Sequence, residues 1–392
     1  MRLNMEYVSR LFKPPRQSFF LFGPRGTGKS LWTERIFPAA LRVDLLQPDV
    51  HRQFLSHPER LREMVEARPD CRTVVVDEVQ KVPELLSVTH SLINKYPGCC
   101  FILTGSSARK LRRAGVDLMA GRALNCTLHP YMAAELGARF DLDRVLTFGS
   151  IPLVVESPDP RAVLASYASL YLREEVQMEG LVRNAGSFAR FLEAISFSHG
   201  CVLNLSNVSR ECQVERKTVE SYVQILEDLL LAWRLPVFSL RAKREMTEHS
   251  KFFLFDCGVF RSLRPSGPLD CTEEIAGPAL EGLVAQHIRA WIAYRGRDNK
   301  LYHWRTRGGS EVDLVCYGED GLFAVEVKHS ATLQAADFRG LRAFAEDYPQ
   351  SVKVLLYRGK DKLLRDGVLC MPVSEFLMGL NPETGLPVEC KT

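Results

Sequence analysis

Gly23-Pro24-Arg25-Gly26-Thr27-Gly28-Lys29-Ser30 stands directly after the apolar run Phe19 to Phe22 and before a stretch that can be helical. An apolar strand, a glycine-rich turn ending in Gly-Lys-Ser and a helix form a strong local constraint on folding. The glycines let backbone N–H groups curl around phosphates, Lys29 reaches the β/γ oxygens, and Ser30 offers a hydroxyl to Mg²⁺. The eight-residue match therefore implies a nucleoside triphosphate site lined by Gly23, Pro24, Arg25, Gly26, Thr27, Gly28, Lys29 and Ser30.

Apolar runs then alternate with helix-length segments up to about residue 130, as expected for a parallel sheet covered by helices. The expected strands are Ser18 to Phe22, Leu41 to Leu45, Thr73 to Val76, Cys100 to Thr104 and Ala123 to Leu128. The third runs into Asp77-Glu78. An acid closing such a strand helps hold Mg²⁺, and a carboxylate one position further can polarise the attacking water. Asp77 is read as a metal ligand and Glu78 as the general base. A kinase of small molecules need not aim an acid at water, so the pair favours hydrolysis.

Thr104, with Ser106 behind it, could orient the water or only cap the following helix. The basic residues Arg109, Lys110, Arg112 and Arg113 could lie at phosphate level. Arg122 reads either as an arginine finger, acting in this or a neighbouring subunit, or as a surface arginine.

These segments are co-linear with Val76-Asp77-Glu78-Val79-Gln80-Lys81, Leu103-Thr104-Gly105-Ser106-Ser107 and Leu118-Met119-Ala120-Gly121-Arg122. In that series the chain resembles the AAA-type ATPases of prokaryotes that carry a DUF4143 C-terminal region, over nearly its full length. The resemblance implies an α/β multidomain protein: a P-loop AAA-type parallel sheet core, a helical lid, a winged helix and a restriction-endonuclease-like C-terminal α/β domain. It also implies ATP rather than GTP, with Mg²⁺. Gly26 and Thr27 stand where family members often have Gln and a small residue, a departure that should not impair phosphate binding.

From Tyr131 to about Phe197 the apolar residues recur at helical spacing, with Phe148-Gly149-Ser150-Ile151-Pro152 breaking the first stretch. Between Ser206 and Leu230 lies a helix-turn-helix pattern in which Ser206 can cap a short helix. Its second helix buries Val219, Val223, Leu226 and Leu230, with Arg210, Arg216 and Lys217 near the leading edge. Trp233 to Leu240 and Lys251 to Phe255 read as a wing around the polar turn Arg241 to Ser250. Such a unit contacts duplex DNA or binds a protein partner. Glu211, Glu215 and Glu220 argue against a strongly electrostatic grip.

Pro265 to Pro278 reads as a linker. Beyond it come Glu281 in a helical pattern, the strand Glu311-Val312-Asp313-Leu314-Val315, and Leu322 to Lys328, where alternation puts Glu326 and Lys328 on one side. Three acids and a lysine on a helix and two strands form the constellation of the PD-(D/E)xK nuclease fold. Asp313, Glu326 and Glu281 would ligate Mg²⁺, and Lys328 would orient water or stabilise charge on phosphate. Arg305 and Arg307 could bind a phosphate backbone. Such a module either cleaves nucleic acid or only binds it.

The expected organisation is 1–130 ATPase core, 131–197 lid, 198–262 winged helix, 263–278 linker and 279–392 nuclease-like domain. A chain of 392 residues exceeds one core, and a net charge of +4 permits DNA as a partner without arguing for it. An unidentified protein partner and assembly with further copies of the chain are the other partner classes. The eleven cysteines show no C-x-x-C pair, and no apolar run is long enough to span a membrane. A reducing cytoplasm without membrane insertion is the expected setting.

Overall fold

The five apolar runs of the first third become β1 (Phe19–Phe22), β2 (Leu41–Asp44), β3 (Thr73–Asp77), β4 (Cys100–Gly105) and β5 (Leu124–Thr127). They form one sheet of order β2-β3-β4-β1-β5 in which every pairing is parallel. Parallel strands covered on both faces need continuous apolar runs, and Phe19 to Phe22, Val74 to Val76 and Phe101 to Leu103 are all buried. Helices Lys29–Ile36 and Leu85–Lys95 form the crossovers after β1 and β3, and the core includes Phe20, Val76, Leu86, Leu92 and Leu103. This arrangement brings Gly23, Asp77 and Thr104 to the C-terminal ends of adjacent strands, where parallel α/β sheets bind ligands.

The computed structural model describes residues 7–107, 121–171, 185–240, 244–247, 249–268 and 270–388. Arg109, Lys110, Arg112 and Arg113 lie outside them, as do Leu118, Met119 and Ala120. The chain divides into two compact units. One is Phe12–His129 with Asp228–Leu231, and the other comprises Met1–Leu11, Pro130–Glu227 and Ala232–Thr392.

In the second unit, helices Leu142–Phe148, Pro160–Ser166 and Ala185–Ser196 bury Val145, Leu164, Phe188, Phe191 and Ile195, as their spacing requires. The helix pair is Leu205–Cys212 and Arg216–Asp228. Its first cap is Asn204, not Ser206: the Asn204 carboxamide oxygen accepts from the backbone N–H of Ser206 and Asn207, both at 3.1 Å. A small sheet of order β6-β8-β7 accompanies the pair, with β6 at Cys201–Val202, β7 at Ala232–Leu235 and β8 at Lys251–Leu254.

The C-terminal sheet has β9 (Asn299–Arg305), β10 (Glu311–Gly318), β11 (Gly321–Val327), β12 (Val352–Tyr357), β13 (Leu363–Arg365) and β14 (Val368–Pro372), in the order β13-β14-β12-β11-β10-β9. β9, β10 and β11 are antiparallel, whereas β12 joins β11 in parallel after helix Arg339–Asp347.

Two expectations change here. The strand expected over Trp233 to Leu240 stops pairing with β8 at Leu235. The chain then runs along β9: Val237 bridges His303, and Phe238 N donates to His303 O at 2.7 Å while its ring enters the Trp304 core. Met246 likewise bridges Thr306, so the described part of the expected turn is held on the same sheet. The expected linker ends early, because Thr272–Arg295 is one helix that contains Pro278. Burial of Ile275, Ala276, Ala279 and Leu280 offsets the helix-breaking tendency of Pro278.

Candidate functional site

The phosphate loop turns through Gly28, whose φ of 86° suits a residue without a Cβ, and the helix begins at Lys29. Thr27 Oγ1 donates to Pro24 O at 2.8 Å, and Lys29 Nζ donates to Gly23 O at 2.7 Å and Pro24 O at 3.2 Å. These bonds fix the curl and hold the ammonium inside it. Ser30 Oγ donates to Asp77 Oδ2 at 2.5 Å. A hydroxyl and a carboxylate this close are hard oxygen donors that suit Mg²⁺, so these residues fit the ion.

Asp77 ends β3, and Thr104 lies beside it on β4. The buried Thr104 hydroxyl donates to Asp77 Oδ1 and accepts from Glu78 N at 3.2 Å, which ties the two acids together. Glu78 sits at φ 59°, a left-handed conformation that strains a residue with a Cβ and is held by its surroundings. Gln80 supplies one restraint: its Nε2 donates to Glu78 Oε2 and, at 3.1 Å, to Ser106 Oγ. Gln80 is buried, and its Oε1 has no hydrogen-bond partner in the structure. Sequence reasoning gave it no role, although a polar residue in the turn directly after an acid pair is a usable signal.

Arg122 donates to His90 Nε2 on helix Leu85–Lys95 and lies away from this group. Leu124 pairs with Phe19, the first residue of β1, so Arg122 lies beyond the N-terminal ends of the strands. The phosphate loop follows their C-terminal ends. Four residues of β1 span about 13 Å, more than a guanidinium extends from its own Cα. Arg122 therefore does not reach the loop of its own chain.

In the second unit Glu281, Asp313, Glu326 and Lys328 do come together, around a residue that sequence reasoning had placed in a wing. Lys251 Nζ lies 2.9 Å from Glu281 Oε1, 2.7 Å from Glu311 Oε1 and 3.3 Å from Asp313 Oδ1, and its side chain is 3% exposed. Asp313 Oδ2 accepts from Val327 N at 2.9 Å, and Lys328 Nζ donates to Glu326 Oε1 at 2.6 Å. Burial lowers the Lys251 pKa, but Glu281, Asp313 and Glu311 outweigh it and hold the ammonium well above its ordinary value. Burial, then neighbouring acids, pushes Glu281 and Glu326 upward against the pull of the lysines. Among the described residues no group of three or more His, Cys, Asp or Glu could hold a metal ion. Glu281, Asp313 and Glu326 thus do not fit the expected Mg²⁺ as they stand, because a lysine ammonium bridges two of them.

Of the other expected nucleic-acid contacts, Arg210, Arg216 and Lys217 are exposed on the helix pair. Arg305 pairs with Glu311 at 3.3 Å and Arg307 with Glu245 at 2.8 Å.

A glycine-rich loop, a strand-end acid pair and an all-parallel sheet define a P-loop nucleotide-binding domain. Residues 15–137 match the AAA domain family, residues 139–270 a domain of unknown function (DUF8612), and residues 276–376 a domain of unknown function (DUF4143). The chain is thus an AAA-domain protein with a C-terminal DUF4143 domain. It is similar to an uncharacterized protein of Mycobacterium tuberculosis, 22% identical over 316 residues that span 78% of this chain and 69% of that one. An uncharacterized protein of Haemophilus influenzae is 20% identical over 205 residues, 48% of this chain and 51% of its own.

Among solved structures, AMPPCP-bound DnaA from Aquifex aeolicus covers 54% of this chain and 81% of its own, at 14% identity and a TM-score of 0.28. The STAND signal-transduction ATPase of Pyrococcus horikoshii covers 71% and 45%, at 11% identity and a TM-score of 0.25. Superpositions this loose carry no argument. No helix among the described residues is long and apolar enough to cross a membrane.

Proposed function

We propose that this chain binds ATP with Mg²⁺ and hydrolyses it, and that its second unit is a binding module governed by that cycle. The observation that carries the first part is the continuous hydrogen-bonded group Ser30–Asp77–Thr104–Glu78–Gln80. Backbone N–H groups of residues Arg25 to Ser30 cradle the phosphates, and Lys29 transfers its hydrogen bonds from loop carbonyls to β/γ oxygens. Ser30 and Asp77 would hold Mg²⁺, which when bound would neutralise charge on the phosphates. Glu78 takes the proton of the attacking water, and Thr104 keeps Asp77 and Glu78 in register. Arg122 serves a neighbouring subunit of a homo-oligomer.

The second unit is read as a winged-helix element joined to a nuclease-like fold that binds DNA or a protein partner in the cytoplasm. Cleavage would require Mg²⁺ at Glu281, Asp313 and Glu326 with Lys328 acting on water, and the position of Lys251 disfavours it. K29A is expected to weaken nucleotide binding, whereas E78Q should bind ATP yet release phosphate at least about 100-fold more slowly. Equal phosphate release by wild type and E78Q would remove Glu78 as the base. Single- and double-stranded DNA should be bound yet stay intact in Mg²⁺ or Mn²⁺; cutting that D313A and K328A abolish would overturn the binding-only reading.

A further inference from the structure

Lys251 is the best-enclosed ammonium of the second unit's acidic cluster. Its three N–H donors meet three carboxylates, from helix Thr272–Arg295 through Glu281 and from β10 through Glu311 and Asp313. It is tethered by β8, whose four residues are all buried. The oxygens surround the nitrogen at 2.7 to 3.3 Å, the spacing of charge-assisted hydrogen bonds. Magnesium draws its oxygens to about 2.1 Å. The carboxylates are therefore spread for an ammonium. One acceptor in the cluster is unused: Glu326 Oε2 is buried with no hydrogen-bond partner, while Oε1 takes Lys328.

We propose that Lys251 is the resident cation of this cluster, standing where a divalent ion would otherwise be held, so that the wild-type module takes up no Mg²⁺ or Mn²⁺ at Glu281, Asp313 and Glu326. The inference deepens the binding-only reading and rests on it only for its biological meaning. Without the ammonium, the ion pairs left to Glu281, Glu311, Asp313 and Glu326 among the described residues would be those of Glu326 with Lys328 and Glu311 with Arg305. An excess of carboxylates, half-buried at Glu281, Glu311 and Asp313 and buried at Glu326, with the space of a lysine side chain between them would then draw in a hard cation.

The test counts bound Mn²⁺ by electron paramagnetic resonance in nucleotide-free, full-length protein. Wild type and D313N should bind equal amounts. K251A should bind one more ion per chain than wild type, and K251A/D313N should lose that gain. A wild type that binds one Mn²⁺ more than D313N overturns the proposal, as does a folded K251A that gains none. Should K251A be too unstable for counting, thermal melts decide. A Tm raised by millimolar Mn²⁺ or ethylammonium in K251A, but not in K251A/D313N, supports the assignment; a Tm indifferent to both overturns it. A wild type that takes up no Mn²⁺ at the cluster and also binds no DNA or protein supports the role of Lys251 while sinking the binding reading.

Discussion

Glu78 keeps its strained left-handed backbone through Thr104 at its N–H and Gln80 at its carboxylate, two restraints on the proposed general base. On the proposed mechanism Gln80, which donates to Glu78 and Ser106, acts through Glu78 and is a positioning residue. Q80A should lower kcat between about 10- and 100-fold while KM for ATP stays within about twofold, because only the aim of the base is lost. Steady-state phosphate release with ATP varied checks this; a KM that rises as steeply as kcat falls would make Gln80 a binding residue instead. The phosphate loop and Asp77-Glu78 were legible in the sequence because their chemistry is compressed into adjacent positions. Gln80 and Lys251 were not. Lys251 meets Glu281 thirty positions away and Asp313 sixty-two positions away, and nothing local marks a strand lysine as buried.

Element boundaries followed hydrophobic periodicity closely in the first sheet and failed where tertiary contacts override local preference. The strand expected over Trp233 to Leu240 changes partner after Leu235 because Phe238 gains the Trp304 core. The motif Phe148-Gly149-Ser150 was seen only as a helix break; in the structure it docks on Asp256. Ser150 N donates to Asp256 Oδ2 at 2.8 Å, Gly149 has φ 75°, and a Cβ on Gly149 would fall 1.9 Å from Asp256 Oδ1. Gly149→Ala should therefore cost roughly 2–5 kcal/mol from backbone strain and overpacking together. Gly277→Ala, whose Cβ meets nothing within 4 Å, should not destabilise; denaturant melts of both compare them.

The helix end at Arg295 offers a pH test on the same scale. Its guanidinium makes a bidentate pair with Asp320 at 2.5 and 2.6 Å, and with Asn299 beside it holds Asp320 down to about 2. A carboxylate whose folded pKa is depressed binds its proton more readily in the unfolded chain. Its stabilisation is thus complete above the ordinary aspartate range near 4 and fades as pH falls toward about 2. Melts of wild type should lose stability across that window more steeply than melts of D320N; parallel slopes would exclude Asp320 as a source.

At the scale of the whole molecule, the position of Arg122 decides what kind of enzyme the proposal describes. Its own phosphate loop lies beyond the opposite ends of the strands, so as an arginine finger it can serve only the nucleotide of another subunit. On the proposed reading hydrolysis requires assembly, and the guanidinium would leave its His90 contact when a neighbour presents its nucleotide. R122A and K29A should each lose most phosphate release, the first for want of charge on the transition state and the second for want of bound nucleotide. Mixed in equal amounts, they should recover activity. About a quarter of all sites would then combine an intact loop from an R122A subunit with an intact arginine from a K29A neighbour. Recovery should vanish on dilution below the assembly concentration, which light scattering under the assay conditions would locate. A protein that stays monomeric through a full-rate hydrolysis cycle, or a mixture no more active than its parts, would return Arg122 to a surface arginine and leave the site to work with Lys29 as its chief cation.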